Sequence, residues 1–241
     1  MKKTIKRLLA VIFAIAMAFT TLPDQTEIAE AAKKTKYYGS VFFSAEFYGE
    51  APRNVSNIWS YIKNTRGTST EPVIAAYEID AAGWFTKYWN EMPYKQDVVV
   101  INLHGDYKGL YSHSLFEYLR RGTGLIVDTN SVKQLAYKEI KYIVLLGCDT
   151  GNYNTRASNI ARAFADKFNT TVIAPDGNVQ MAQDGIEGHY TAKRWLAYTP
   201  KNSSNNYQGK LYQINNLPSA TSVYTMIHYY DRMYRTELPA K

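Results

Sequence analysis

The chain has 241 residues, of which 46% are hydrophobic and 20% charged, a globular composition with room for one ordinary domain and a leader. A formal charge of +7 suits contact with anionic cell walls or membranes. The absence of a dense basic tract interleaved with aromatics argues against nucleic-acid binding.

The first residues read as a secretory signal peptide. Lys2, Lys3, Lys6 and Arg7 precede an apolar run over residues 8–19, and the small-residue site Ala29-Glu30-Ala31 follows. That run is shorter than the roughly 20 residues a membrane-spanning helix needs, so no transmembrane anchor is expected. Residues 1–31 are expected to be removed on export, leaving residues 32–241 as a single secreted α/β domain. The leader carries four basic and three acidic side chains, so its loss leaves +6. Cys148 is the only cysteine and cannot form a disulfide within its own chain; it is buried filler, an intermolecular link or a reactive thiol.

Residues 37–48, rich in β-branched and aromatic side chains, read as a strand. In "NVSNIWSYIKNTRG", Val55, Ile58, Trp59 and Ile62 recur at helical spacing, and Gly67 is a stop. Residues 72–80 suggest a second strand and "AGWFTKYWNEMP" a short helix or loop. "DVVVINLHGD", 97–106, has the near-continuous apolar run of a strand covered on both faces. The glycine-punctuated stretch to Asn130 suits a loop or hairpin, and "SVKQLAYKE" a helix. "IKYIVLLGC", 140–148, is a second apolar strand; residues 156–169 form an amphipathic helix with Ile160, Ala161, Phe164 and Phe168 on one face; "TVIAPDG" is a third buried strand. The tail suggests strands around a polar loop and a closing helix over 222–238. Alternating strands and helices predict a three-layer α/β sandwich, with a mostly parallel central sheet and helices on both faces.

In such a sheet, loops at the carboxyl ends of neighbouring strands converge where ligands bind. Two strands end in chemistry, one in His104-Gly105-Asp106 and the other in Gly147-Cys148-Asp149. Were these strands adjacent, an imidazole would face a thiol, the pairing that thiol nucleophiles use. Gly105 would let the backbone approach a carbonyl, and its amide with that of Cys148 would hold an oxyanion.

The pattern "VVVINLHG", a helical segment, then "YIVLLGC" resembles the caspase-haemoglobinase fold of cysteine peptidases. "LLGCDTG", "ASNIARAFADKF" and "TVIAPDGNV" are similar to its CHAT-like and toxin-associated members over about residues 97–180. The resemblance implies a secreted cysteine endopeptidase acting on peptide or protein substrates through an acyl-enzyme and needing no cofactor. His104 would be general acid and base, Cys148 the nucleophile, and the amides of Gly105 and Cys148 the oxyanion donors. Leu146 stands where arginine-specific relatives carry an acid, so basic specificity is not carried over. Asp176 is expected to line a specificity pocket, with Asp149 as a second candidate; Asp176 before Gly177 also suits a plain turn.

Other chemistries find little support. No D-x-H or H-x-x-x-H spacing, no G-x-S-x-G elbow and no G-x-x-x-x-G-K loop occurs. His113 and His189 read as surface side chains and His228 as structural. The rival to the peptidase is an inactive secreted module of the same fold that binds a cell-wall or protein partner through its tyrosine-rich basic surface.

Overall fold

The computed structural model describes residues 36–67, 70–113, 124–181, 188–201 and 209–239. The expected leader and its cleavage site lie outside the described residues, as do parts of the glycine-punctuated segment before Asn130 and of the polar loop after Lys201.

Fourteen strands and four helices follow one another along these residues. The strands are β1 (Lys36–Phe43), β2 (Glu71–Glu78), β3 (Lys95–Asn102), β4 (His104–Gly105), β5 (Gly109–Tyr111), β6 (Leu125–Asp128), β7 (Glu139–Leu145), β8 (Thr171–Asp176), β9 (Gln180–Met181), β10 (His189–Thr191), β11 (Arg194–Tyr198), β12 (Leu211–Ile214), β13 (Thr221–Ser222) and β14 (Arg235–Leu238). The helices are α1 (Ala51–Arg66), α2 (Ala82–Glu91), α3 (Ile160–Phe168) and α4 (Val223–Asp231).

Eight strands form the central sheet in the order β2-β1-β3-β7-β8-β11-β12-β14, with β13-β10-β9 and β4-β5-β6 as small antiparallel sheets. The first five are parallel; β11, β12 and β14 each run antiparallel to the strand before them in the sheet. Side chains alternate along β3. Val98 and Val100 join one buried cluster with Ile58 and Ile62 of α1 and Met226 and Ile227 of α4. Val99 and Ile101 join another with Phe85 and Trp89 of α2 and Phe164 and Phe168 of α3. Two buried faces explain why the cores of β3, β7 and β8, residues 98–101, 142–145 and 172–174, are apolar without a break. The mixed α/β architecture, with a large, mostly parallel central sheet between helices, is consistent with the three-layer sandwich expected.

Local chemistry sets the ends of the elements. Asn159 caps α3 by accepting from the Arg162 amide, and Asn169 ends it in the left-handed conformation, φ 50°. Three expected elements differ. The first strand stops at Phe43, because the Ser44 amide bonds Asn102 O and a 3-10 turn, Ala45–Glu50, follows. The expected helix after Asn130 is one 3-10 turn, Ser131–Gln134, drawn together by Asp128. Beyond it Lys138 is buried with Nζ bonded to Asn90 O and Met92 O, which holds the chain out of helix. The closing helix ends at Asp231; Met233 turns the chain at φ 66°, and β14 becomes an edge of the sheet.

Candidate functional site

The site builds from the pairing of β3 with β7. These strands are parallel neighbours, in register from Lys95↔Glu139 to Ile101↔Leu145, so their carboxyl ends emerge side by side. Beyond β3 comes Leu103 and then His104-Gly105 in β4; beyond β7 come Leu146, Gly147 and Cys148.

The two chain ends touch through their glycines. A methyl placed on Gly105 would lie 3.2 Å from Gly147 Cα and 3.3 Å from Cys148 O; one placed on Gly147 would lie 3.1 Å from Gly105 N and 2.8 Å from Leu103 O. Side chains at either position would force the backbones apart. This interlock fixes the histidine-bearing and cysteine-bearing segments against each other.

After β7 the chain makes a tight turn. Gly147 O accepts from Thr150 Oγ1 at 2.8 Å, Asp149 takes the left-handed conformation at φ 53°, and Gly151 N bonds Pro175 O at 2.8 Å. Aspartate is among the few non-glycine residues that accept that conformation readily. The buried Tyr198 phenol pins the turn from below, donating to Gly151 O at 2.8 Å and accepting from Asn159 Nδ2 at 2.8 Å. Burial pushes its ionisation well above the ordinary tyrosine value, so it remains a donor.

Cys148 is partly exposed at the crown of this turn. Its Sγ accepts from the Val179 amide at 3.3 Å and lies 3.7 Å from Val179 O. Val179 precedes β9, which has β10 as its neighbour on one side and no partner strand on the other among the described residues.

His104 is 23% exposed, and its Nε2 is 2.7 Å from Glu46 Oε2. Phe47 packs against the ring, centroids 4.9 Å apart. Glu46 and Phe47 come from the 3-10 turn after β1, β3's other neighbour. A neutral imidazole donating from Nε2 to Glu46 keeps Nδ1 as its basic nitrogen. The other oxygen of Glu46 lies 3.7 Å from His113 Nδ1.

Asp106 N bonds Gly109 O, so alternation along the antiparallel β4–β5 pair puts Gly105 opposite Leu110 in a non-hydrogen-bonded pair. The Gly105 amide therefore points away from β5, toward the side where Gly147 approaches.

The structure brings the His104-Gly105 and Gly147-Cys148 backbone segments together, and it ties both acids into the loops around them. Asp176 is 7% exposed; it accepts from the Tyr153 amide at 2.9 Å through Oδ1 and from Arg194 Nε at 2.6 Å through Oδ2. Asp149 Oδ1 accepts from Gly177 N at 3.0 Å and from Asn152 Nδ2 at 3.2 Å. Both carboxylates brace the loops on which Cys148 sits. Arg194 lines a groove of about 560 Å³ with Lys193, Trp195, Gln213, Asn215 and Ser219, at the same end of the sheet. Among the described residues no three His, Cys, Asp or Glu side chains gather closely enough to hold a metal ion, and no helix is long and apolar enough to cross a membrane.

Sequence reasoning missed Glu46, Phe47, Val179 and Arg194. Glu46 lies 58 positions from His104, and only the β1–β3 pairing joins them. Residues 77–187, a span that holds His104, Cys148 and Asp176, match the model of a domain of unknown function (DUF8616). No curated protein matches the chain.

Proposed function

We propose that the protein is a secreted cysteine endopeptidase with a caspase-like fold and a His104–Cys148 dyad. The observation that supports this reading is the interlock of His104-Gly105 with Gly147-Cys148 at the adjacent ends of β3 and β7. Secretion rests on the basic-then-apolar N-terminus.

In the mechanism His104 Nδ1 takes the thiol proton and Sγ attacks the scissile carbonyl carbon, whose oxygen becomes an oxyanion held by the Gly105 and Cys148 amides. As the tetrahedral intermediate collapses, His104 protonates the departing amine and a thioester remains on Cys148. Water, deprotonated by His104, then releases the acid and restores the thiol. Glu46 acts through the imidazole, fixing its tautomer and stabilising the imidazolium that forms. The edge of β9 that has no partner strand among the described residues offers backbone groups to an extended peptide beside the thiol, and the Lys193–Arg194 groove gives room for its side chains.

The test is cleavage of an unfolded protein substrate, followed by mass spectrometry, with the secreted chain and its Cys148→Ala and His104→Ala variants. Both variants should lose turnover by at least about a thousandfold while keeping the wild-type circular dichroism. Equal cleavage by the Cys148→Ala protein would sink the mechanism. One observation favours a second reading, an inactive binding module: Sγ is held by Val179 and Nε2 by Glu46. That reading predicts alkylation of Cys148 at the same rate with and without His104.

A further inference from the structure

A buried polar cluster outside the dyad joins the two halves of the site. The Tyr190 phenol, in the middle of β10, lies 2.9 Å from Asn54 Nδ2 of α1, 3.4 Å from Asn102 Nδ2 at the end of β3 and 3.4 Å from Glu50 Oε2 at the start of α1. Glu50 Oε2 also accepts from the Gly188 amide at 2.7 Å, one residue before β10. All four side chains are buried. The phenol has two acceptors in reach of its one proton, Asn54 Oδ1 at 3.2 Å and Glu50 Oε2 at 3.4 Å, and its lone pairs accept from both asparagine amides. Burial pushes its ionisation well above the ordinary tyrosine value, so the phenol keeps its proton at neutral pH.

The position of this cluster matters more than its energy. Tyr190 pairs with Met181 of β9, and β9 begins one residue after Val179, whose amide bonds Sγ of Cys148. Asn102 is two residues before His104. One hydroxyl thus links the backbone that holds the thiol to the strand that carries the imidazole. The ring alone would fill the same volume in its apolar cluster. A satisfied polar network adds a single register between the segments it joins.

We propose that Tyr190 is a positioning residue, setting β9 and Val179, and through them the Cys148 thiol, against the His104 end of β3. Its purpose rests on the peptidase reading; the mechanical tie does not. Thr221 supplies the control. It faces Tyr190 across the β10–β13 pair, is buried, and its hydroxyl has no partner among the described residues.

The experiment measures amide exchange at Val179 and the rate of Cys148 alkylation by iodoacetamide in the native full chain, for wild type, Tyr190→Phe, Asn102→Ala, their combination and Thr221→Val. In Tyr190→Phe, exchange should quicken and alkylation slow by about fivefold each, the equilibrium worth of one neutral hydrogen bond. Asn102→Ala should do the same, and the two should not add. Thr221→Val should match wild type in both readouts. A lowered melting temperature in Tyr190→Phe with neither readout changed would overturn the proposal by leaving a purely structural role, as would equal effects in Thr221→Val. Should alkylation prove indifferent to His104→Ala, the peptidase reading fails, while exchange at Val179 still decides whether Tyr190 holds β9.

Discussion

Gly105→Ala tests whether the two chain ends are interlocked. The new methyl would lie 2.6 Å from Thr150 Cγ2, with Gly147 Cα at 3.2 Å and Cys148 O at 3.3 Å behind it. The Thr150 methyl cannot swing aside cheaply, because Thr150 is fully buried and its Oγ1 is bonded to Gly147 O at 2.8 Å. The remaining contacts are backbone, so the strand ends must separate. Overpacking of this kind costs about 1–3 kcal/mol. In a chain of this length each kcal/mol lowers the melting temperature by about 2–4 °C, which places the fall at about 2–12 °C. Differential scanning fluorimetry measures it, and Thr150→Ser, which deletes the nearest methyl, supplies the internal check. By itself Thr150→Ser loses about 1 kcal/mol for one buried methyl; in the Gly105→Ala background it should restore at least half of the loss. A Gly105→Ala protein as stable as wild type would refute the interlock, and a double variant with simply additive losses would place the resistance in the backbone contacts rather than in the Thr150 methyl.

Two further predictions concern carboxylates. Arg194→Met leaves Asp176 buried with the Tyr153 amide as its hydrogen-bond partner, and should cost about 1–3 kcal/mol in urea unfolding, reduced from the value for fully buried pairs because Arg194 is partly exposed. Adding Asp176→Asn should recover part of that loss, and full stability in Arg194→Met would return Asp176 to the role of a pocket acid. Ser131→Ala tests the turn after β6: the Ser131 hydroxyl and amide donate to Asp128 and hold its carboxyl below the usual carboxylate range. A depressed folded value contributes stability that is complete above the unfolded pKa of about 3.9 and is lost as pH falls through the folded value. The variant should therefore trail wild type by about 0.5–1.5 kcal/mol at pH 7 and by less at pH 3, and an unchanged gap in denaturant titrations would contradict the assignment.

How much of this was legible depended on how local the cause was. The runs "DVVVIN" and "YIVLL" revealed β3 and β7 because a strand buried on both faces leaves a composition no turn or surface helix shares. The polar residues ending them stood out for the same reason. The closing helix was over-read because Met233 and Tyr234 continue an aromatic, helix-like pattern; the break at Met233 comes from a left-handed backbone and from the unfilled edge of β12. The short turn at Ser131 was over-read because the competing hydrogen bonds run to Asp128, ahead of the segment judged helical.

The acids mark the limit more sharply. An aspartate before glycine at the end of a buried strand has one appearance in sequence, whether it meets a ligand or an arginine 18 residues later. Arg194 reaches Asp176 because β11 runs antiparallel to β8 and sets the two residues opposite each other. Topology, not residue type, turned that acid inward. The same logic gave Glu46 its role: an acid in an unremarkable turn faces His104 because β1 lies next to β3. Strand order thus assigned the two carboxylates opposite duties, Asp176 to brace the loop beneath the thiol and Glu46 to orient the imidazole. On the proposed peptidase reading, selectivity is to be sought in the groove around Lys193 and Arg194 and along the edge of β9 that has no partner strand among the described residues.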